Sequence, residues 1–416
     1  MTDDELARRI LLPLDEHPEA PSRVDIAAAV ATGTKRRRAQ RAAVTAVAMA
    51  AGLAVAAVPA VISRSAPPVA AATGGPSATT APSSAPAPAY DRTTTAALPS
   101  SCTGEALPVP DGGQSYAHAV DPTGRYATYR TYRGGTQPVL WHEGVATKIG
   151  KPGGDDSLHD VNSHGVAVGN VWADDGPHGV VVSGGKSSPL PGGPADVRAI
   201  NDHGVIVGGR PDESAALRWP SRGEQPVPLA VPKGYVRAMA YDVDGDGTVV
   251  GYVGEAGSGT VQRNGQNPAR ERVAYVWPAK GPGRVLEAPT LPGHVFDYYD
   301  ARAISNGWVV GYASSDQGLV VGVRWDLNTG RAQVLPGLES SDGVNPYGWV
   351  VGMSEDDHAV LTDGVTTLRL PDVFPFDEKY GTNFATSVSD DGRTIVGNVD
   401  DATRGPLQQA VLWHCS

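Results

Sequence analysis

The chain has 416 residues, a formal net charge of −11 and 19% charged residues. The negative charge sits on the C-terminal part, since the N-terminal tail is basic, and this balance excludes nucleic acid as an expected partner. Arginine outnumbers lysine, and Ala, Gly and Pro are abundant, a usage typical of a high-GC, actinobacterial-type bacterium.

Residues 1–41 read as two short helices. Thr2 is placed to cap the first, with Leu6, Ile10 and Leu11 on one face; Pro21 and Ser22 introduce the second, with Val24, Ile26 and Val30. The piece has no cysteine and one histidine, His17, which excludes a zinc-binding module. It is either a tail that sets topology or a docking segment for a cytoplasmic regulator. Next come Lys35, Arg36, Arg37, Arg38 and Arg41, then an uncharged stretch over residues 42–63. Such a stretch suffices to cross ~30 Å of hydrocarbon as one helix. The positive-inside rule then places residues 1–41 in the cytoplasm and the rest outside the cell, as a single-pass protein of the cell membrane. A cleavable signal peptide is the alternative, because small residues follow around 57–60 and 70–72. Residues 64–100 are almost entirely Ala, Pro, Ser, Thr and Gly, a composition that buries too little to fold and reads as a disordered stalk.

From residue 101 to 416 one phrase recurs seven times: an apolar residue, Asn or Asp, two turn residues, Gly, three mostly β-branched residues and a second Gly. It reads VNSHGVAVG at 161–169, INDHGVIVG at 200–208, VDGDGTVVG at 243–251, ISNGWVVG at 304–311, VNPYGWVVG at 344–352 and VSDDGRTIVG at 388–397. A degenerate first copy, VDPTGRYAT, starts at Val120. The leading glycines, Gly124, Gly165, Gly204, Gly247, Gly307, Gly348 and Gly392, are spaced 41, 39, 43, 60, 41 and 44 residues apart. A period near ~40–45 in a strand-rich sequence predicts β-propeller blades, each needing neighbours to bury its faces. Each copy continues into an apolar strand that in five cases ends at Trp141, Trp219, Trp277, Trp325 or Trp413, then a short strand running into Pro or Gly. The expected fold is all-β, a seven-bladed propeller with four strands per blade.

The seventh copy stops after its third strand, and EALPVPDGG at 105–113 resembles the missing fourth. The first and last strands are therefore expected to share a blade, leaving no free sheet edge. The only cysteines, Cys102 and Cys415, flank these strands and are expected to form a disulfide, which stabilises by restricting the unfolded chain. Two unpaired thiols are the alternative.

The phrase resembles the HAF-type extracellular repeat, whose consensus runs roughly A-I-N-D-x-G-x-V-V-G; AINDHGVIVG at 199–208 and AISNGWVVG at 303–311 match it best. The resemblance covers the repeat region alone. It implies an exported or surface protein of a bacterium and says little about activity.

No catalytic or cofactor motif is present: there is no nucleophile elbow, no H-E-x-x-H and no phosphate-cradling loop. Asp242, Asp244 and Asp246 have the spacing of a calcium loop, but Val253 stands where the bidentate Glu belongs, so calcium is a weak candidate and no metal is expected. A better candidate is the position three residues before the turn Asn/Asp. Down the repeats it reads His118, His159, Arg198, Tyr241, Arg302, Asp342 and Thr386, a polar column between small or apolar ones. If the phrase is the innermost hairpin, this column rings the channel mouth, where propellers take ligands; otherwise it serves backbone groups and water in a wet channel. The long insertion at 254–272 is expected to form a loop over one face. The function that fits is an envelope or surface binding module for a polysaccharide, peptide or protein. The alternatives are a hydrolase or lyase using His118 or His159 as base, and a transmembrane sensor.

Overall fold

In every copy the repeated phrase forms a β-hairpin, and its turn chemistry explains why. The computed structural model describes residues 90–416 apart from 110–112, 133–134, 151–154, 256–271, 380 and 404–406. The expected tail (1–41), membrane segment (42–63), upstream stalk and insertion loop lie outside the described residues. Asn162 Oδ1 accepts the backbone N–H groups of His164 and Val166, both at 3.1 Å, and Gly165 follows at φ 69°. A side-chain acceptor at the first position and a left-handed glycine at the fourth fix this turn. The Asn162 amide also donates to the Asn201 carbonyl at 3.1 Å, and the Asn201 amide to the Asp244 carbonyl at 2.9 Å. One residue type thus closes its own hairpin and ties it to the next. The fifth copy uses the shorter turn Asn306–Gly307, with φ 46° and 70°, the two-residue hairpin that Asn-Gly favours.

Seven four-stranded antiparallel sheets result, numbered here as blades 1 to 7 in chain order. Their innermost strands are Gln114–Val120, Ser157–Val161, Asp196–Ile200, Tyr235–Val243, Phe296–Ser305, Leu338–Val344 and Phe384–Val388. Each lies against the innermost strands before and after it, the last against the first, so the ring is closed. Blade 7 is composite: Phe384–Val388, Thr394–Asp401 and Leu407–Cys415 come from the C-terminus, and Cys102–Ala106 adds the outer strand. Cys102 stands opposite Cys415 in that pairing, and the two form the expected disulfide.

The buried apolar side chains of the described residues fall into seven clusters, each joining two successive blades rather than lying within one. A propeller has no single core, so closing the ring completes the seventh interface. Five tryptophans end third strands, as the sequence suggests, and Trp219, Trp325 and Trp413 are wholly buried. Their polarity is satisfied across the interface: the indole N–H groups of Trp219, Trp277, Trp325 and Trp413 donate to carbonyls of Pro191, Ala230, Glu287 and Pro371, all in the preceding blade's outer segment, at 2.7–2.9 Å.

One expectation needs correction. The stalk does not extend freely to residue 100, because residues 90–100 already lie on the propeller. Tyr90 packs over Gly307 and donates through its hydroxyl to Thr248 Oγ1 at 3.1 Å. Arg92 stacks on Trp308, 3.7 Å from the ring centroid, and pairs with Asp326 at 2.5 Å. Two aromatic or charged residues within an otherwise bland stretch supply the contacts its composition lacks.

Candidate functional site

A strand at the inner edge of a blade turns alternate side chains toward its two neighbouring blades, so none naturally faces the axis. A bulge changes this, since the extra residue is unpaired and its side chain is re-aimed. All seven innermost strands carry such a bulge. The register slips between Ala117 and Ala119, Leu158 and Asp160, Val197 and Ala199, Ala240 and Asp242, Ala301 and Ala303, Ser341 and Gly343, and Ala385 and Ser387. The extra residues are His118, His159, Arg198, Tyr241, Arg302, Asp342 and Thr386. The polar column of the sequence is therefore the column of bulge residues, and all seven line one open cavity of about 210 Å³ in the channel.

The bulge also explains the second glycine of the phrase. A Cβ at Gly169, Gly251 or Gly311 would lie 1.9 Å from the carbonyl oxygen of Ser157, Met239 or Asp300, and at Gly208, Gly352 or Gly397 2.2 Å from the equivalent oxygen. The bulged strand pushes its backbone into the space a side chain would need. Blade 1 departs from this pattern, with Tyr129 opposite its bulge, its hydroxyl donating to the Pro108 carbonyl at 2.5 Å.

Residues two positions before each bulge form a second tier that sequence reasoning missed. Its signal was the spacing Asp-x-Arg at 196–198 and 300–302. Arg198 pairs with Asp196, and Arg302 with Asp300 at 3.0 Å. Ser340 donates to Asp342 at 2.6 Å, and Tyr116 lies 5.2 Å from the His118 ring. Tyr241 sits between the guanidinium groups of Arg198 and Arg302, at 5.8 and 4.5 Å. Further out, Arg130 pairs with Asp155 at 2.6 Å.

The two histidines touch edge to face at 5.2 Å. His118 Nε2 lies 2.9 Å from Ser157 Oγ. The Asn170 amide donates to His159 Nε2 at 3.2 Å and to Asp196 at 2.8 Å, so His159 carries its proton on Nδ1. Burial, then the charges of Arg130 and Arg198, pushes His118 down to about 3. Burial, then Arg198, holds His159 well below its usual range too. Both imidazoles are neutral near pH 7. Burial opposes the charge of Arg302, but Asp300 beside it keeps the guanidinium protonated. Burial raises the Asp342 carboxyl.

The calcium candidate does not assemble. Asp242 accepts the N–H groups of Val243 and Ile304, at 2.7 Å each. Asp244 accepts those of Gly245, Asn306 and Gly307. Asp246 serves Thr248 and Tyr90. Their oxygens are aimed at separate backbone and hydroxyl donors, and no metal-ligating trio converges among the described residues. A larger cleft, about 360 Å³, lies on the opposite face, between the incoming chain at Asp91 and Thr94 and the hairpin turns of blades 5, 6 and 7.

Fold and site together define a closed seven-bladed propeller with a polar, bulge-built channel mouth. No protein-family model matches the sequence, and no curated protein matches it. Among solved structures it is similar to YCF48 bound to D1 peptide (13% identity, TM-score 0.44, covering 79% of this chain and 98% of that one). It is also similar to a streptogramin B lyase (10%, TM-score 0.48, 76% and 98%) and to YCF48 from Cyanidioschyzon merolae (12%, TM-score 0.40, 75% and 98%). These likenesses concern architecture, and no activity is carried across from them.

Proposed function

We propose that this chain is a membrane-anchored binding module whose propeller stands outside the cell and takes a polar envelope ligand at the channel mouth. The observation that carries the reading is that seven independent bulges aim seven polar side chains into one cavity. A bulge costs ladder hydrogen bonds, and structure alone gives no reason to turn polar groups toward the axis in every blade. Export agrees with the disulfide, the basic block before residues 42–63 and the resemblance of the phrase to HAF-type extracellular repeats. The hydrolase or lyase alternative is weaker, because imidazoles pushed so far below neutrality are poor general bases at physiological pH. The test is retention of fractionated cell envelope by the full-length protein. An Asp342→Asn/Thr386→Val double variant, nearly isosteric and with unchanged melting temperature, should retain at least tenfold less. Equal retention by both proteins would remove the mouth from consideration.

A further inference from the structure

Seven of the eight tryptophans are accounted for by packing. Five end third strands, Trp349 is buried with them, and Trp308 lies beneath the Arg92 guanidinium. Trp172 is different: its side chain is 51% exposed. An indole left in water forgoes the burial that makes tryptophan costly to leave outside, so its position matters.

Trp172 belongs to the second strand of blade 2, Ala167–Ala173. Two residues earlier, Asn170 holds His159 and Asp196 at the mouth. Side chains i and i+2 share a strand face, so the Trp172 ring stands on the same face as Asn170, about 6.6 Å further toward solvent. Its backbone N–H donates to Asp156 Oδ1 at 2.9 Å, which pins this strand end beside the start of the innermost strand. The strand end that carries the indole is thus fixed on the rim, one step above the cavity.

The charges at the mouth are internally matched. Arg130, Arg198 and Arg302 each have a carboxylate partner, the histidines are neutral, and burial raises the Asp342 carboxyl. Among the described residues at the cavity these three arginines leave no unpaired cation to select an anion; beyond it, Arg237 and Arg272 share the one carboxylate of Glu213. What is left is a set of planar donors and acceptors beside aromatic faces, which suits the hydroxyls and the apolar C–H face of an uncharged sugar. At about 210 Å³ the cavity is small beside the ~300–1,000 Å³ of drug-sized sites, so it admits a chain end rather than a long segment.

We infer that the channel mouth binds the end of a neutral glycan, the terminal residue among the bulge side chains and the next one stacked on Trp172. This rests on the channel-mouth reading above. The test uses tryptophan emission of the full-length protein during titration with the neutral hexaoses of β-1,4-glucose, α-1,4-glucose and β-1,4-N-acetylglucosamine, with hexagalacturonate as the charged control. At least one neutral hexaose should blue-shift the solvent-exposed component and bind at least tenfold more tightly than hexagalacturonate. Trp172→Ala should weaken that binding tenfold or more, and Trp172→Phe no more than about threefold, with melting temperatures unchanged. Equal binding of hexagalacturonate would overturn the neutral class, and undiminished binding by Trp172→Ala would overturn the platform. If none of the three neutral hexaoses binds while envelope is still retained through Asp342 and Thr386, the glycan assignment fails and the mouth stands. If envelope retention is absent too, both fail.

Discussion

The link between the second glycine and the bulge can be tested in blade 4 with Gly251→Ala. An added Cβ would sit 1.9 Å from the Met239 carbonyl oxygen and 3.0 Å from Ala240 Cα. The neighbour is backbone, so no rotamer change relieves the clash, and the two strands must part by about 1 Å. Overpacking of this kind costs ~1–3 kcal/mol, and two distorted ladder hydrogen bonds add ~1 kcal/mol each. Against this, Ala gains roughly 0.5–1 kcal/mol over Gly by restricting the unfolded chain. The net expectation is a loss of about 3 kcal/mol, a fall in melting temperature of roughly 4–5 °C at this chain length. Calorimetry would read it, and hydrogen exchange would show faster opening at Ala240 and Tyr241, because the bulge moves with the strand. Gly245→Ala, in the same blade's turn, is the control: nothing lies within 4 Å of its Cβ and its φ is not left-handed. It should be neutral or slightly stabilising. If Gly251→Ala melts within 1 °C of Gly245→Ala, the steric account of the repeat's second glycine is wrong.

The disulfide should matter because it closes nearly the whole propeller: with the cysteines 313 positions apart, the chain-entropy model gives about 5–6 kcal/mol, and a Cys102→Ser/Cys415→Ser variant should melt roughly 5–10 °C lower. Thiol labelling of the unfolded, unreduced wild type should find no free thiol; two would contradict the pairing. Arg92→Ala removes a partly buried ion pair and a stacked guanidinium, so limited proteolysis between residues 90 and 100 should accelerate severalfold while the blades stay intact; unchanged cleavage would mean that Arg92 does not hold this segment. The channel carboxyls make stability depend on pH in a defined direction. Burial raises Asp160 to about 7, and burial with the nearby Asp160 charge raises Asp242 to about 8. A folded value above the unfolded one of ~3.9 means that this stability is fully present below about pH 4 and is lost progressively as pH rises from there through the folded values of about 7 and about 8. His118, with a folded value of about 3, acts oppositely and costs stability as pH falls below its unfolded range near 6.5. Each amide replaces one of two oxygens that accept backbone N–H groups, which costs stability at every pH, so Asp160→Asn/Asp242→Asn should gain stability relative to wild type between pH 3 and pH 9. Both carboxyls keep some exposed surface, so the gain is set at about 1–2 kcal/mol each, below the linkage ceiling of ~1.4 kcal/mol for every pH unit between the unfolded and folded values. A parallel shift at both pH values would contradict the assignment.

The arrangement of blades explains how the proposed binding site and a stability device share the same residues. The bulge that sends Arg302 to the axis leaves Ala301 and Ala303 on either side of it, with Ala301 fully buried among the residues joining blades 4 and 5. Asn170 holds His159 from one end of its amide while its carbonyl oxygen accepts the Val197 N–H of the next blade at 2.9 Å. Positions at the mouth are thereby fixed by inter-blade bonds, and a ligand there meets side chains whose geometry is set before it arrives.

Much of this was legible in the amino-acid sequence, for a physical reason. Hairpin turns and blade strands are local: Asn or Asp with Gly three residues along fixes the turn, and runs of mostly β-branched residues fix the strands, so seven copies in phase specify seven blades. The polar column at 118, 159, 198, 241, 302, 342 and 386 could be found because a repeat places equivalent residues at equivalent depths. Three things were decided only by tertiary structure. The bulges depend on register between strands, which no single strand encodes. The neutralisation of Arg198 and Arg302 depends on where Asp196 and Asp300 point once those bulges form. The docking of Tyr90 and Arg92 depends on partners, Thr248, Trp308 and Asp326, more than 150 residues away along the chain. Contacts of that range leave no periodic trace, because they are set by the closure of the ring and not by any pattern along the strand.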